Sequence, residues 1–130
     1  MPDTLLEGQQ LSLGDSISSF SGTFQLVFQG SDGNLVLSIV AGGTTAALQN
    51  RPIWAAYTQN RGAKRCVMQQ DGNLVVYSES NQPLWNSRTN GNPGAFLVVQ
   101  DDGNAVIYNP EIRPLWQTAT SAAEAPGVNA

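Results

Sequence analysis

The 130 residues fit a single domain, and the net charge of −4 with a sequence pI near 4.4 argues against binding to nucleic acid or to an anionic membrane. Only 12% of the residues are charged, and no apolar run is long enough to cross a bilayer, so we expect no membrane insertion. The one cysteine, Cys66, excludes an intramolecular disulfide. Because the chain has no histidine that could activate this thiol, we expect a small buried apolar residue there.

Short alternating segments between clusters of Gly, Asn, Asp and Pro favour an all-β fold built from hairpins. One unit occurs three times in chain order, as a damaged copy at residues 28–38 and as two intact copies at residues 69–77 and 100–108. The intact copies carry Gln, Asp, Asn, Val and Tyr at every second position, namely Gln69, Asp71, Asn73, Val75 and Tyr77 in one, and Gln100, Asp102, Asn104, Val106 and Tyr108 in the other. The repetition predicts three versions of one structural unit.

Three tryptophans mark the same period, since Trp54, Trp85 and Trp116 are each 31 residues from the next and each follows a proline by two residues. The first repeat is longer by eight residues, which we place in a loop near residues 41–45 because closure entropy grows slowly with loop length. The spacing predicts a single domain over residues 1–121, with repeats at about 5–58, 59–89 and 90–120 and a flexible tail at 122–130.

The second repeat serves to predict the elements of all three. It indicates a strand at residues 66–70, a tight Asp-Gly turn at 71–73, a return strand at 74–77 and a third strand at 84–87. A fourth strand is expected either from the start of the next unit or from the residues before this one. Each repeat therefore predicts a small antiparallel sheet.

Alternation along the return strand predicts which side chains are exposed. It places Asn73, Val75 and Tyr77 on one face, toward a groove, and Leu74 and Val76 on the other, toward the core. A carboxylate, two amides, a phenol and one apolar patch suit a neutral ligand rich in hydroxyl groups, and sugars are such ligands. Asp-Gly-Asn alone is a common turn, but two copies that retain Gln, Asp and Asn favour a binding site over a purely structural turn.

The same residues argue against a metal, a cofactor and catalysis. Each repeat offers one well-placed carboxylate, which is too few for calcium, and zinc is disfavoured by the single cysteine and the absence of histidine. Asp101 and Asp102 are adjacent and point to opposite faces of an extended chain, so they do not form a catalytic pair. With no histidine and no nucleophile elbow, an enzyme is the last of the hypotheses.

The Gln-x-Asp-x-Asn-x-Val-x-Tyr pattern, repeated and paired with a Pro-x-Trp strand, resembles the monocot mannose-binding lectins, also called bulb-type or snowdrop-type lectins. The resemblance runs from about Leu5 to Thr120. It implies a β-prism II fold, in which three four-stranded antiparallel sheets surround a pseudo-threefold axis and the tryptophans pack at the centre.

The resemblance also implies a role for each residue of the pattern. Asp71 and Asn73 hold the axial O2 of mannose, Gln69 holds O3, Tyr77 holds O4, and Val75 packs on the ring carbons. The matching residues of the third repeat take the same roles, and these are Gln100, Asp102, Asn104, Val106 and Tyr108. Because the axial O2 separates mannose from glucose, the Asp and Asn pair is implied to carry the specificity.

The first repeat departs from the pattern, and we expect a weaker, degenerate site there, in which the remaining residues are Asp32, Asn34 and Val36. Counting back from the aspartate puts Gly30 where Gln belongs, with Gln29 displaced by one, and Ser38 stands where Tyr belongs. Plant members carry a disulfide in this repeat, and Gly33 occupies one of its implied positions. The missing bridge indicates a member from outside the plants.

The leading hypothesis is a mannose-binding lectin that recognises mannose-containing glycans or polysaccharides without metal. Four hydrogen bonds, each worth about 0.5 to 1.5 kcal/mol net, correspond to roughly millimolar binding, so recognition requires multivalency. The alternative is a non-lectin module on the same scaffold, whose partner is a protein or a bacterial surface.

Two expectations concern the ends of the chain. In the family that this sequence resembles, the C-terminal strand is often exchanged between subunits. The resemblance therefore implies a homodimer in which the segment at 115–118 is exchanged. Met1-Pro2-Asp3 is not a signal-peptide start, which leaves a cytoplasmic protein or export by another route.

Overall fold

The computed structural model describes residues 2–40 and 51–121, and within these ranges the chain forms three four-stranded antiparallel sheets, as predicted. The strands are β1 (Thr4–Leu5), β2 (Gln10–Ser12), β3 (Ser16–Ser18), β4 (Phe24–Phe28), β5 (Leu35–Ile39), β6 (Arg51–Ala55), β7 (Ala63–Met68), β8 (Leu74–Ser78), β9 (Pro83–Asn86), β10 (Phe96–Val99), β11 (Ala105–Tyr108) and β12 (Pro114–Gln117). The expected loop near 41–45 and the tail at 122–130 lie outside the described residues.

The sheets are ordered β3-β4-β5-β6, β2-β7-β8-β9 and β1-β10-β11-β12, so each repeat supplies three neighbouring strands of one sheet. We call them the first, second and third sheets after the repeats that they contain. The three hairpins that carry the repeated pattern therefore lie on three separate sheets.

No helix in the described ranges is long and apolar enough to span a membrane.

The fourth strand of every sheet comes from an N-terminal arm that contains β1, β2 and β3. Leu5, Leu11 and Ile17 stand six residues apart, one in each sheet, and all three are buried. Gly8 and Gly14 separate these strands with φ values of +85° and +92°, a region that glycine adopts without steric cost. The first sheet takes its fourth strand from the residues just before its unit, which is one of the two predicted sources, whereas the second and third sheets take theirs from this distant arm.

The hairpin of the second repeat shows how the sequence pattern builds the core. Met68 pairs with Leu74 and Cys66 pairs with Val76 across β7 and β8, and all four side chains belong to the core cluster. Burial raises the pKa of the Cys66 thiol to about 12, because the thiolate is disfavoured away from water. The prediction of a buried cysteine is thus confirmed.

The three tryptophans meet one another, as the resemblance implied. The ring centroids of Trp54, Trp85 and Trp116 lie 5.5 to 5.6 Å apart in edge-to-face contacts, and the rings pack against the core cluster. Such contacts add about 0.5 to 1.5 kcal/mol each beyond the burial of area. The trio ties the last strands of the three sheets together.

The last strand, β12, pairs with β11 of the same chain and completes the third sheet. Trp116 lies opposite Ile107 in this pairing and makes its aromatic contacts within the chain. All three sheets are therefore closed within one chain, and exchange of β12 between subunits is not required to complete the fold.

Candidate sugar-binding sites

The loop between β7 and β8 fixes the carboxylate of the second site. The Gln69 backbone N–H donates to the Asn73 carbonyl at 2.9 Å, and the Gly72 N–H donates to the Gln69 carbonyl at 3.0 Å. Asp71 Oδ1 accepts the Asn73 backbone N–H at 2.9 Å, as an Asx turn requires. One carboxylate oxygen is thus used inside the turn, and the exposed carboxylate offers its other oxygen to a ligand.

The two polar atoms of the Asn73 side chain have different roles, since Oδ1 is bonded within the fold and Nδ2 faces outward. Its Oδ1 accepts the Ser87 hydroxyl at 3.1 Å and the Thr89 backbone N–H at 3.2 Å, which ties the hairpin to the end of β9. An N–H can only donate, so the side-chain oxygen must face Thr89 and the Nδ2 group must face outward. Nδ2 lies 3.3 Å from Asn86 Oδ1, a bond near the outer limit, and it is the group that a sugar oxygen can use.

Gln69 and Tyr77 join above the apolar part of the site. The Gln69 side-chain amide donates to the Tyr77 hydroxyl, and both residues are half-buried. Val75 lies on the same face of the hairpin as Gln69 and Tyr77, because it is outside the core cluster that contains Leu74 and Val76. Only 3% of its surface is exposed. The polar groups therefore form most of the accessible surface, with the valine as the floor.

The third site repeats this arrangement on β10 and β11. Asp102 Oδ1 accepts the Asn104 N–H at 2.9 Å, and Asn104 Oδ1 accepts the Thr118 hydroxyl at 3.0 Å and the Ala119 N–H at 2.9 Å. The Asn104 Nδ2 group donates to Gln117 Oε1 at 2.6 Å, a shorter bond than its counterpart in the second site. Both predicted sets of five residues are thus brought together, each on one hairpin.

The glutamine of the third site is bonded differently from that of the second. Gln100 accepts the Tyr108 hydroxyl and donates its Nε2 to both oxygens of the Asp102 carboxylate, each at 3.2 Å. In this arrangement the glutamine, the aspartate and the tyrosine satisfy one another. A ligand at the third site must therefore displace an internal contact that the second site does not contain among the described residues.

Strand register corrects the reading of the first repeat. Phe28 pairs with Leu35 just as Met68 pairs with Leu74, so Gln29 follows its strand as Gln69 does. The Gln29 backbone N–H donates to the Asn34 carbonyl at 2.9 Å, which is the contact that Gln69 makes with Asn73. The assignment of Gly30 to the Gln position was wrong, because the first loop is one residue longer and counting along the chain shifts the match.

The first site therefore lacks the tyrosine but keeps a glutamine. Ser38 pairs with Gln25 as Tyr77 pairs with Arg65, so the predicted replacement of tyrosine by serine is confirmed. A groove at this position is lined by eight residues, which are Gln29, Asn34, Val36, Pro52, Ile53, Trp54, Ala55 and Tyr57. Asp32 keeps the Asx turn, with Oδ1 accepting the Asn34 N–H at 3.0 Å.

The sequence reasoning missed two positions that flank each site. One pairs across the hairpin with the tyrosine, or with Ser38 in the first repeat, and the other stands three residues after the tryptophan with a φ near +60°. In repeat order the first position holds Gln25, Arg65 and Phe96, and the second holds Tyr57, Arg88 and Ala119. The fixed spacing from the tryptophan could have identified the second position, but the first depends on strand pairing.

The acidic side chains near the sites do not gather into a metal-binding cluster within the described residues. Over residues 2–40 and 51–121, no group of three or more His, Cys, Asp or Glu side chains is placed to hold a metal ion. The aspartates of the three hairpins instead each cap their own turn. The sites therefore consist of hydrogen-bonding groups around a valine.

The fold and the sites together define a β-prism lectin. No family model matches the chain. Comparisons with individual known proteins identify the family. The mannose-specific agglutinin from snowdrop (Galanthus nivalis) bulbs, solved with methyl-α-D-mannoside, is 38% identical over 91% of this chain and 96% of that one, with a TM-score of 0.69. A monomeric monocot mannose-binding lectin from Gastrodia elata is 33% identical over 91% and 97%, with a TM-score of 0.74. The chain belongs to the bulb-type lectin family.

A curated relative agrees over a shorter stretch. The B-type lectin plumieribetin from Scorpaena plumieri is 37% identical over 76 residues, which span 58% of this chain and 58% of that protein. The β-prism II fold is confirmed by the solved structures. Because these neighbours are lectins, which bind carbohydrate without enzymatic activity, the prediction that the chain is not an enzyme is confirmed as well. The role of each site residue stays a prediction.

Proposed function

We propose that this protein is a mannose-binding lectin in which the second and third sites each hold one mannose residue without a metal ion. The observation that carries the proposal is the paired geometry of Asp71 and Asn73, repeated at Asp102 and Asn104. In each pair an aspartate oxygen accepts the asparagine backbone N–H, which sets a carboxylate beside the asparagine side-chain amide. An adjacent acceptor and donor can together hold one sugar hydroxyl, which both donates and accepts.

The remaining contacts follow from the positions along the hairpin. We assign O2 of mannose to Asp71 and Asn73, O3 to Gln69, O4 to Tyr77 and the ring carbons to Val75. The third site makes the same contacts through Gln100, Asp102, Asn104, Val106 and Tyr108. The crystallised complex of the snowdrop agglutinin with methyl-α-D-mannoside supports this ligand, since that protein is 38% identical to this chain.

The first site is a weaker third binding position within this proposal. It retains Asp32, Asn34 and Val36, and the register of β4 and β5 adds Gln29 to them. Only the tyrosine hydroxyl lacks a counterpart, since Ser38 is buried to 8% exposure. Loss of one net hydrogen bond of about 1 kcal/mol weakens binding by roughly fivefold.

Multivalency completes the proposal, because sites of about millimolar affinity need avidity to retain a glycan. One chain carries several sites, and a homodimer doubles the number of sites in one assembly. The dimer can form by exchange of β12, whose contacts with β11 can also be made between two chains, or by association of two closed chains. The Gastrodia elata lectin is described as monomeric, so closed chains occur among the similar structures.

Isothermal titration with methyl α-mannoside, with and without excess EDTA, tests the proposal. We expect binding that is unchanged by EDTA and lost in the double variant Asp71→Ala with Asp102→Ala, apart from weak binding at the first site. Glu111→Ala is the matched control, since this exposed carboxylate lies outside the sites. A folded chain that gives no heat with mannoside, or that loses binding on chelation, contradicts the proposal. Light scattering of the full chain tests the dimer.

A further inference from the structure

The charges around the two intact sites differ in sign. The chain has only six Lys and Arg residues, yet both positions that flank the second site hold arginine, Arg65 and Arg88. We propose that the second site prefers mannose residues that carry an anionic group, with Arg65 as the residue that determines this specificity. The inference rests on the proposed mannose-binding function and adds a substrate class to it.

Arg65 is positioned by the site itself. It pairs with Tyr77 across β7 and β8, and its guanidinium carbon lies 4.4 Å from the centroid of the tyrosine ring. Its Nη1 donates to Asn81 Oδ1 at 2.6 Å. A neutral amide orients the guanidinium without cancelling its charge, and most of its five N–H donors are left for other partners. The side chain is thus an oriented cation next to the group assigned to O4.

The chemistry of the sugar decides where an anion meets this arginine. In mannose the C6 hydroxymethyl group is attached to C5, which neighbours the carbon that bears O4. With O4 at Tyr77, a phosphate on O6 points to the side of the site on which Arg65 stacks. Guanidinium recognises phosphate through paired N–H donors, which makes arginine better suited than lysine to this contact.

Arg88 adds a second positive charge at the opposite end. Its backbone N–H donates to Asn86 Oδ1 at 2.8 Å, and the same oxygen accepts the Nδ2 group of Asn73 at 3.3 Å. The residue is exposed and held at a φ of 60° beside the amide assigned to O2. The positions of Arg65 and Arg88 therefore lie at opposite ends of the second site.

The other two sites lack this feature. Phe96 and Ala119 flank the third site, whose loop carries Asp101 beside Asp102, where the second loop carries the neutral Gln70 beside Asp71. Gln25 and Tyr57 flank the first site. Relative to the third site, the second site therefore has two additional positive charges nearby and one fewer negative charge, which favours an anionic ligand there. The contact between Arg65 and Tyr77 could serve only to stabilise the hairpin, but that explanation does not account for the second arginine, Arg88.

The test compares mannose 6-phosphate with mannose in a chain reduced to the second site by Asp32→Ala and Asp102→Ala. We expect the phosphorylated sugar to bind about tenfold more tightly at low salt, with the ratio falling as salt screens the charges. Arg65→Gln should bring the ratio to about one to three, and adding Arg88→Gln should remove the rest. Arg113→Gln, which removes an exposed arginine outside the site, is the matched control and should leave the ratio unchanged.

The outcomes separate the inference from the function on which it rests. If mannose binds but the ratio is near one, or if the ratio persists in the double arginine variant, the inference is wrong and the lectin function stands. If neither sugar binds to the folded chain, both are wrong. A chain reduced to the third site by Asp32→Ala and Asp71→Ala should favour neutral mannose, which provides an internal contrast.

Discussion

The second and third sites carry the same five side chains on equivalent hairpins, and both tie the asparagine oxygen to the segment after the last strand, but they differ in the contacts of the glutamine and in the flanking residues. Among the described residues, the Gln69 side chain of the second site bonds only to Tyr77, whereas the Gln100 side chain of the third site bonds to both Tyr108 and Asp102. Arginines flank one, and an aromatic ring and a methyl group flank the other. A repeated motif therefore fixes which groups meet a ligand, while neighbouring strands set their charge and availability.

Steric freedom at the turn glycine should give the largest difference between the two hairpins. Gly72 and Gly103 have φ values of +93° and +94°, so alanine at either is strained by about 1 to 2 kcal/mol. A Cβ on Gly72 would also stand 2.2 Å from the Asn92 carbonyl oxygen, whereas one on Gly103 would stand 3.0 Å from the Thr120 carbonyl oxygen. Urea unfolding should show Gly72→Ala as the costlier variant, by about 2 kcal/mol or more.

Gly91→Ala isolates the cost of backbone conformation in that comparison. This glycine has a φ of +86° and nothing within 4 Å of an added Cβ. Its substitution should cost less than either of the other two. Equal losses at Gly72 and Gly103 would show that the loop containing Asn92 moves freely.

The asparagines should show the next largest effect. Aspartate at position 73 or 104 keeps the acceptor that ties the hairpin to the following strand but loses the Nδ2 donor assigned to O2. We expect each variant to lose mannose at its own site. Asn73→Asp should cost about 1 kcal/mol of stability, and Asn104→Asp about 2 to 3, because Asn104 is only 7% exposed and its Nδ2 faces the Gln117 oxygen at 2.6 Å.

Titration of each single-site chain with methyl α-mannoside, together with urea unfolding, measures both quantities. The matched variants Asn73→Ala and Asn104→Ala remove the acceptor as well. At position 73, the alanine variant should be less stable than the aspartate variant. Mannose binding that survives in Asn73→Asp would contradict the assignment of its amide to the sugar.

The smallest effect concerns Asp101, which has no acidic counterpart in the second hairpin. The hydrogen bond from the Ser21 backbone N–H, 2.9 Å from Oδ1, followed by side-chain hydrogen bonds, holds the pKa of Asp101 below its ordinary value. A carboxyl group whose pKa is lowered by folding stabilises the protein above its unfolded pKa of about 3.9 and loses that contribution as the pH falls. Asp101→Asn should be slightly less stable at neutral pH.

The difference between Asp101→Asn and the parent chain should then shrink below about pH 4, as thermal unfolding at a series of pH values can measure. Gln70→Asn, at the matching position of the second hairpin, is the control and should show no such dependence. A gap that stays constant down to pH 2 would exclude the contact with Ser21 as its cause.

The core and the site hairpins could be predicted because they depend on local patterns. Leu74, Val75 and Val76 alternate as the period of a strand requires, and the spacing of the tryptophans identified the trio at the centre. Register was harder, since the extra residue between Phe28 and Leu35 is visible only once the strands are paired. A turn can absorb one residue without changing the pattern on either side.

The sequence by itself determined three repeated hairpins, their inward and outward faces, and the five side chains brought together on each of the two intact hairpins. Only the tertiary structure decided that the N-terminal arm supplies the fourth strand of every sheet. It also decided that Arg65 stacks on Tyr77 and that the asparagine oxygens are used within the fold. The physical reason is range, because a strand's periodicity is set by its own residues, whereas its neighbours are set by pairing between segments that lie far apart in the chain.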